Sequence, residues 1–348
     1  MKHTKIDLLQ MQSLPLSAKV RMTERRIRDW YDFWNGDVYV SFSGGKDSTV
    51  LLDLVRGIYP EVEAVFVDTG LEYPEIREFV KTFSNVTILR SGTGFHEVIK
   101  KYGYPVIGKE VSETVQGAKK GQKYRLDKLN GTGRHENGAF ACTKYKPLLD
   151  VDFNVSHYCC NVMKKRPSKE FEKHTGKKPF IGTMAAESTM REKAWLRTGC
   201  NAFESKRPIS CPMAFWTEQD ILQYIKEKNL PIASVYGSIE YAVEPEQVRW
   251  SEVDPDLAIF ESKEVKQLIT TGCDRTGCIF CGFGCHLEKE PNRFQRLKET
   301  HPRQYRYCIE GGEYNDSGVW QPNKNGLGMG HVFDELNKIY GEDFIKYK

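Results

Sequence analysis

The six residues Ser43, Gly44, Gly45, Lys46, Asp47 and Ser48 constrain this 348-residue chain more than any other stretch, because of what stands on either side of them. Asp37 to Phe42 is a short β-favouring run, and Thr49 to Ile58 reads as a helix. A glycine-rich turn at the carboxyl end of a strand lets successive main-chain N–H groups converge. The helix that follows adds its positive N-terminus, so the loop suits an anion. Gly44 and Gly45 permit close backbone approach, Ser43 and Ser48 bring hydroxyls, and Lys46 brings a charge that neutralises phosphate. An ordinary βα turn that happens to hold two glycines is the plainer account. All six residues between a strand and a helix outweigh it.

The surrounding pattern predicts an α/β fold. Glu63 to Val67 reads as a second strand, Pro74 to Phe83 as a helix and Val86 to Leu89 as a third strand. Strand and helix in alternation imply a Rossmann-like parallel sheet with crossover helices. A helix is predicted over 17–34, ahead of the first strand. Further on, Lys119 to Gly138 reads as basic and loop-like, Arg166 to His174 as a helix and Pro179 to Gly182 as a strand. Thr217 to Lys228 reads as a helix, with Thr217 as its cap and Asp220 at the third position inside. Past Pro231 the pattern turns irregular and aromatic. The expected division is therefore a nucleotide-binding domain over 1–235 and a cysteine-rich, basic and aromatic region over 236–348.

Hydrophobic residues make up 39% and charged residues 28%, enough for a buried core, and the formal charge of +4 permits an anionic partner without demanding one. No apolar run approaches membrane-spanning length, and Met1 to Gln12 lacks the apolar core of a secretory signal. A cytoplasmic protein with no membrane partner is the expectation. Cysteines in a reducing compartment favour metal or cluster binding over disulfides where they are grouped. Two groups stand out among the ten: the vicinal pair Cys159 and Cys160, and the run Cys273, Cys278, Cys281 and Cys285. By spacing alone the second group suits tetrahedral zinc. Cys142, Cys200, Cys211 and Cys308 read as buried apolar residues.

Residues 43–48 resemble the pyrophosphate-binding loop (PP-loop) of the adenine-nucleotide α-hydrolase superfamily. Val67, Asp68, Thr69 and Gly70, followed by Glu72 and Pro74, are similar to the second-strand motif of its phosphoadenosine phosphosulfate (PAPS) reductase branch. So are Cys159, Cys160, Lys164 and Pro167 to that branch's Cys-Cys-x-x-x-Lys-x-x-Pro segment. Gly182, Ser188 and Arg191 resemble its phosphate-contact loop, and Trp216, Asp220, Tyr224 and Ile225 the helix after it. The resemblance runs from about Asp37 to about Cys281. It implies ATP or a related adenine nucleotide across the carboxyl ends of the strands, touched by Ser43 to Ser48, Asp68, Thr69, Gly70, Gly182, Ser188 and Arg191. Asp47 and Asp68 would lie beside the phosphates, where a carboxylate needs an intervening cation, so one or both read as Mg²⁺ contacts. The plainer account of Asp68 is a turn residue. The resemblance also implies a [4Fe–4S] cluster on Cys159, Cys160, Cys278 and Cys281. Zinc is the alternative, and whether Cys273 and Cys285 join the ligands stays open.

The chain departs from the reductase pattern in two places. Met184 and Ala185 stand where the family carries two arginines, and no cysteine follows Cys308 in this sequence. PP-loop relatives split ATP between the α and β phosphates, and several bearing clusters couple this to sulfur delivery. The expected function is therefore adenylylation in sulfur-transfer chemistry, with Lys46, Asp47 and Arg191 as catalytic residues. A thiol-dependent adenylyl-sulfate or PAPS reductase is the alternative, and a nucleotide- or cluster-sensing partner protein the non-enzymatic one. A nucleic-acid or sulfur-carrier partner is suggested by the basic and aromatic stretch from Asn292 to Tyr307 and by the basic stretch 119–134; a helix with a solvated basic face is the plainer account.

Overall fold

The computed structural model describes residues 3–136, 138, 140–242 and 267–348; residues 243–266 of the expected C-terminal region lie outside the described residues. The chain forms two compact units, each assembled from three stretches of sequence. The first comprises Met1–Phe66, Tyr73–Ile88 and Glu172–Thr276, and the second Val67–Glu72, Leu89–Phe171 and Gly277–Lys348. The units are thus interleaved along the chain, whereas composition suggests one division at 235/236.

The first unit carries the sheet. Its strands are β1 (Val38–Ser41), β2 (Ala64–Asp68) and β3 (Val86–Arg90), and, beyond the short β4 (Val106–Ile107) of the second unit, β5 (Lys178–Ile181), β6 (Asn201–Ala202) and β7 (Ile209–Ser210). The spatial order is β3-β2-β1-β5-β7-β6. β1 pairs in parallel with β2 and β5, and β5 with β7, while β6 closes the edge antiparallel to β7. Central β1 is apolar on both faces, with Val38, Tyr39 and Val40 buried, as a strand covered by helices on each side must be. The α/β expectation holds, and each strand and helix read from 37 to 90 lies within three residues of its expected bounds at either end.

The helix Leu16–Phe33 buries Lys19, Thr23, Ile27 and Trp30 along one stripe. The helix Glu218–Lys228 begins as its sequence predicts: the Thr217 side chain accepts the Asp220 N–H, and Asp220 accepts the Thr217 N–H at 2.7 Å. Trp216 is fully buried and donates its indole N–H to Thr23 Oγ1 at 2.9 Å, and Tyr224 donates to Asp53 Oδ2 at 2.7 Å. These residues frame the unit's core.

In the second unit the stretch 119–138, expected to be loop-like, is helical over Lys123–Asn130 and irregular on either side of it. Lys109–Lys119 and Lys123–Asn130 form two packed helices. Gly121 follows the end of the first and Gly131 stands left-handed at the end of the second, so these glycines stop helices and do not prevent them. Gly282–Phe283 pairs in parallel with β4. No helix among the described residues is long and apolar enough to cross a membrane.

Candidate functional site

Residues 43–48 lie in the first unit. Gly44 has φ of +72°, and a Cβ there would come within 2.8 Å of both Ile76 Cγ2 and Val80 Cγ2, so only glycine fits. Gly45 caps the helix Lys46–Arg56, whose first turn is Lys46, Asp47 and Ser48. The helix therefore begins three residues earlier than its sequence suggests, because the phosphate-loop residues are themselves helical. Hydroxyls brace the turn: Ser43 N–H donates to Ser48 Oγ at 3.1 Å, Ser48 Oγ donates to the Gly45 carbonyl at 2.9 Å, and Gly45 N–H donates to Ser43 Oγ at 3.3 Å. These bonds fix the backbone of the turn from within.

Lys46 is only 4% exposed. Its ammonium donates to the Asp274 carbonyl at 2.5 Å and pairs with Glu218 at 3.0 Å, while its main-chain N–H donates to the Tyr236 hydroxyl at 3.1 Å. Tyr236 in turn shares a 2.6 Å hydrogen bond with Thr276. In Asp47, Oδ1 is buried with no hydrogen-bond partner among the described residues, and burial holds the carboxyl above the usual carboxylate range although Lys46, Arg275 and Arg191 oppose that shift. An acceptor left free in this way fits a cation ligand.

Gly182 follows β5 directly, and a Cβ there would stand 3.1 Å from the Asp47 carbonyl oxygen, so the strand end and the loop touch through backbone. Ser188 caps the helix Thr189–Thr198 by accepting the Arg191 N–H at 3.3 Å. The Arg191 guanidinium pairs with Glu187, and Arg275 pairs with the other oxygen of the same carboxylate. Lys46, Asp47, Gly182, Ser188 and Arg191 are thus gathered in this unit.

Asp68, Thr69 and Gly70 belong to the second unit. Asp68 Oδ2 accepts from Arg90 at 3.1 Å and Oδ1 accepts the Gly70 N–H at 3.1 Å, so both oxygens hold the turn. Thr69 donates both its N–H and its hydroxyl to Glu72, at 3.0 and 2.7 Å. Leu71 accepts the Ile279 N–H at 2.8 Å, which ties this turn to the later cysteine loop.

Cys159, Cys160, Cys278 and Cys281 line one pocket, together with Lys164 and the apolar side chains of Leu71, Phe95, Pro105 and Met163. Cys159 and Cys160 precede a π-helical stretch, Asn161–Lys165. Cys278 and Cys281 turn back on each other through a 3.1 Å main-chain bond, and Arg293 donates to the Cys281 carbonyl at 2.9 Å. Within the vicinal pair the Cys160 thiol is held below its ordinary range, first by a hydrogen bond from Cys159 and then by Lys109 and Lys164. Burial pushes Cys278 up to about 11. Cys285 is bonded through its own thiol to the Gly282 carbonyl at 3.1 Å and does not line the pocket; Cys273 belongs to the first unit.

Among the described residues no three His, Cys, Asp or Glu side chains gather as ligands of a single ion. Four thiols around an apolar-walled space, with two lysines to offset thiolate charge, are a donor set of the kind that could hold a [4Fe–4S] cluster.

A sequence profile described as the phosphoadenosine phosphosulfate reductase domain matches residues 37–106 and 106–282. The chain belongs to this family. The PAPS reductase family is enzymatic and works in sulfur metabolism. An adenosine 5'-phosphosulfate reductase of Staphylococcus epidermidis is 26% identical over 202 residues, 58% of this chain and 65% of the relative. One from Staphylococcus haemolyticus is 24% identical over 271 residues, 76% of this chain and 87% of the relative. An uncharacterized protein of Methanocaldococcus jannaschii is 37% identical over 87 residues, 23% of this chain and 21% of the relative. The chain therefore spans less than two thirds of the length of the first two relatives it matches, those of M. jannaschii and S. epidermidis. A solved PAPS reductase from Candida auris, in a phosphate complex, aligns with 68% of this chain and 95% of its own, at 15% identity and a TM-score of 0.37.

Sequence reasoning missed Glu187, Glu218, Tyr236, Asp274, Arg275 and Thr276 in the first unit, and Lys109 and Arg293 beside the thiols. Arg275 had one visible signal, as the sole Arg or Lys in the cysteine-dense stretch 273–285. The basic stretch from Asn292 forms two helices, Arg293–Thr300 and Pro302–Ile309. Phe294 and Leu297 are fully buried there, and Arg293 is committed to Glu288 and Cys281. Lys298, Arg303 and Arg306 are exposed.

Proposed function

We propose that this PAPS reductase family member binds an adenine nucleotide on residues 43–48 and adenylylates an acceptor in sulfur-transfer chemistry. The observation that carries this is the glycine turn braced by its own serine hydroxyls at the start of a helix, with Lys46 and Asp47 in that helix's first turn. An acceptor oxygen attacks the α-phosphorus of ATP, the bond to the bridging oxygen breaks, and pyrophosphate leaves. Lys46 and the amides at the start of the helix Lys46–Arg56 stabilise the charge on the leaving group. Arg191 binds a phosphate oxygen or the acceptor. Asp47, through its unpartnered Oδ1, holds Mg²⁺; Asp68 has both oxygens engaged and supports its turn instead. Cys159, Cys160, Cys278 and Cys281 would hold a [4Fe–4S] cluster, which supplies sulfur-transfer chemistry or structural support when bound. A nucleic acid or a sulfur carrier is the acceptor class this chemistry serves.

The relatives' names favour a second reading, reduction of adenylyl sulfate by a thiol. Against Cys308 as the attacking thiol stands its position: it is 0% exposed in the helix Pro302–Ile309, and burial raises its thiol well above the ordinary value. The deciding experiment incubates anaerobically purified protein with ATP and Mg²⁺, and separately with adenylyl sulfate and a thiol. Pyrophosphate from the first supports adenylylation. Sulfite from the second, without pyrophosphate from the first, replaces it with reduction.

A further inference from the structure

Two guanidinium groups from distant parts of the chain meet on one carboxylate beside the phosphate loop. Arg191 and Arg275 pair with separate oxygens of Glu187, whose side chain is only 11% exposed. Arg191 is four residues from Glu187 on the same segment, but Arg275 arrives from 88 residues away. It is brought there by a strap that touches the loop on both sides of it. The Asp274 carbonyl accepts from the Lys46 ammonium, and Thr276 Oγ1 stands 3.3 Å from where a Cβ on Gly45 would be.

Converging arginines are a costly arrangement unless an anion lies between them, since like charges repel and each fork needs acceptors. Glu187 meets that need from within the chain. It is also independently occupied, because its Oε2 accepts the Met184 N–H at 2.8 Å, so the helical turn does not depend on the arginines. Both arginine side chains remain part-exposed, at 42% and 64%, and so are open to an incoming ligand. Both also favour the charged form of Asp47.

We propose that Arg275 is an anion-binding residue of the nucleotide site, pairing with Arg191 on a phosphate or sulfate oxygen of the bound adenine nucleotide while Glu187 occupies that position in its absence. This rests on the nucleotide-binding reading and adds to it the residue that recognises the ligand's oxyanion. It also makes Glu187 a competitor of the ligand.

The test is calorimetric binding of ATP and of adenylyl sulfate to the full chain and to Arg275→Ala, Arg275→Lys and Glu187→Gln, with thermal unfolding of each. Losing a charge-assisted contact weakens affinity about tenfold or more, and Arg275→Lys, which keeps the charge but not the fork, recovers part of this. Glu187→Gln keeps the acceptor for Met184 N–H and removes the competing charge, so it binds at least as tightly as the unaltered protein. Tighter binding of adenylyl sulfate than of ATP assigns the arginine pair to sulfate, and the reverse assigns it to phosphate; either supports the proposal when Arg275→Ala weakens it. Unchanged affinity in Arg275→Ala overturns the proposal and leaves nucleotide binding standing. So does a Glu187→Gln loss equal to that of Arg275→Ala, which would make Arg275 a brace acting through Glu187. If the unaltered protein binds neither nucleotide, the reading beneath the proposal falls with it.

Discussion

The ammonium of Lys46 lies 3.0 Å from the carboxylate of Glu218. The cation that the loop would offer to phosphate is therefore already partnered, and a ligand must take it from Glu218, whose side chain is 55% exposed. Glu218→Gln removes a negative charge that opposes phosphate. Because the pair is solvent-screened on one side, nucleotide affinity should rise only about two- to fivefold. Lys46→Ala should weaken it about tenfold or more and abolish turnover while leaving the circular dichroism spectrum unchanged. Titration calorimetry of both variants checks this, and normal turnover by Lys46→Ala would remove the loop from the site.

Asp47 predicts an opposition between stability and activity. Burial raises its folded-state pKa above the unfolded value, so between the two the folded protein holds more protons than the unfolded chain. Stability on this account falls as pH rises from the ordinary aspartate range towards the raised value, and is level beyond it. Asp47→Asn removes that slope and should raise the unfolding midpoint at pH about 7 relative to the parent, while abolishing Mg²⁺-dependent turnover. Thermal unfolding of parent and variant across this range provides the comparison; a lower midpoint for the variant at neutral pH would contradict it.

Lys19 and Asp220 form a buried pair, 2.7 Å apart with side chains 3% and 10% exposed, and Asp220 also caps the helix Glu218–Lys228. Asp220→Ala removes the acceptor of the Thr217 N–H and leaves an unpaired ammonium in the core, at a cost of roughly 3–5 kcal/mol in urea unfolding. Asp220→Asn combined with Lys19→Met removes the stranded charge and should recover part of that loss. Additive losses from the two substitutions would show that the ion pair is not what couples them.

Iron and sulfide analysis after anaerobic purification tests the four thiols. Cys160→Ser, Cys278→Ser and Cys281→Ser should each lose most of the iron and the visible absorbance, whereas Cys285→Ser, whose thiol donates to the Gly282 carbonyl and does not line the pocket, should keep both. Zinc without iron in the parent protein would overturn the cluster.

What sequence can show here is what depends on neighbours in the chain. The βαβ pattern, the cap at Thr217 and the glycines of the loop each obey local rules of periodicity, capping and φ, and the structure has them where those rules put them. The stretch from Lys119 turns on a local rule too, because Gly121 and Gly131 stand at helix ends and so delimit helices without preventing them. Residues that reach the loop from far away could not be read in this way. Tyr236 meets Lys46 across 190 positions and Asp274 across 228, and only the folded chain reveals either. The Cys-x-x-Cys spacing is visible. That Arg293, in a stretch whose plainer account is a helix with a solvated basic face, donates to the Cys281 carbonyl is not.

The interleaving of the two units bears on how the protein is made. A ribosome releases residues 43–48 early, yet the tyrosine that accepts the Lys46 N–H emerges only at 236 and the strap at 274–276. Until those residues are made, Lys46 lacks the partners that hold its main-chain N–H and its ammonium. Truncation before residue 277 removes Cys278 and Cys281 but keeps every stretch of the first unit, so the nascent chain holds all the residues around 43–48 before it holds all four pocket thiols.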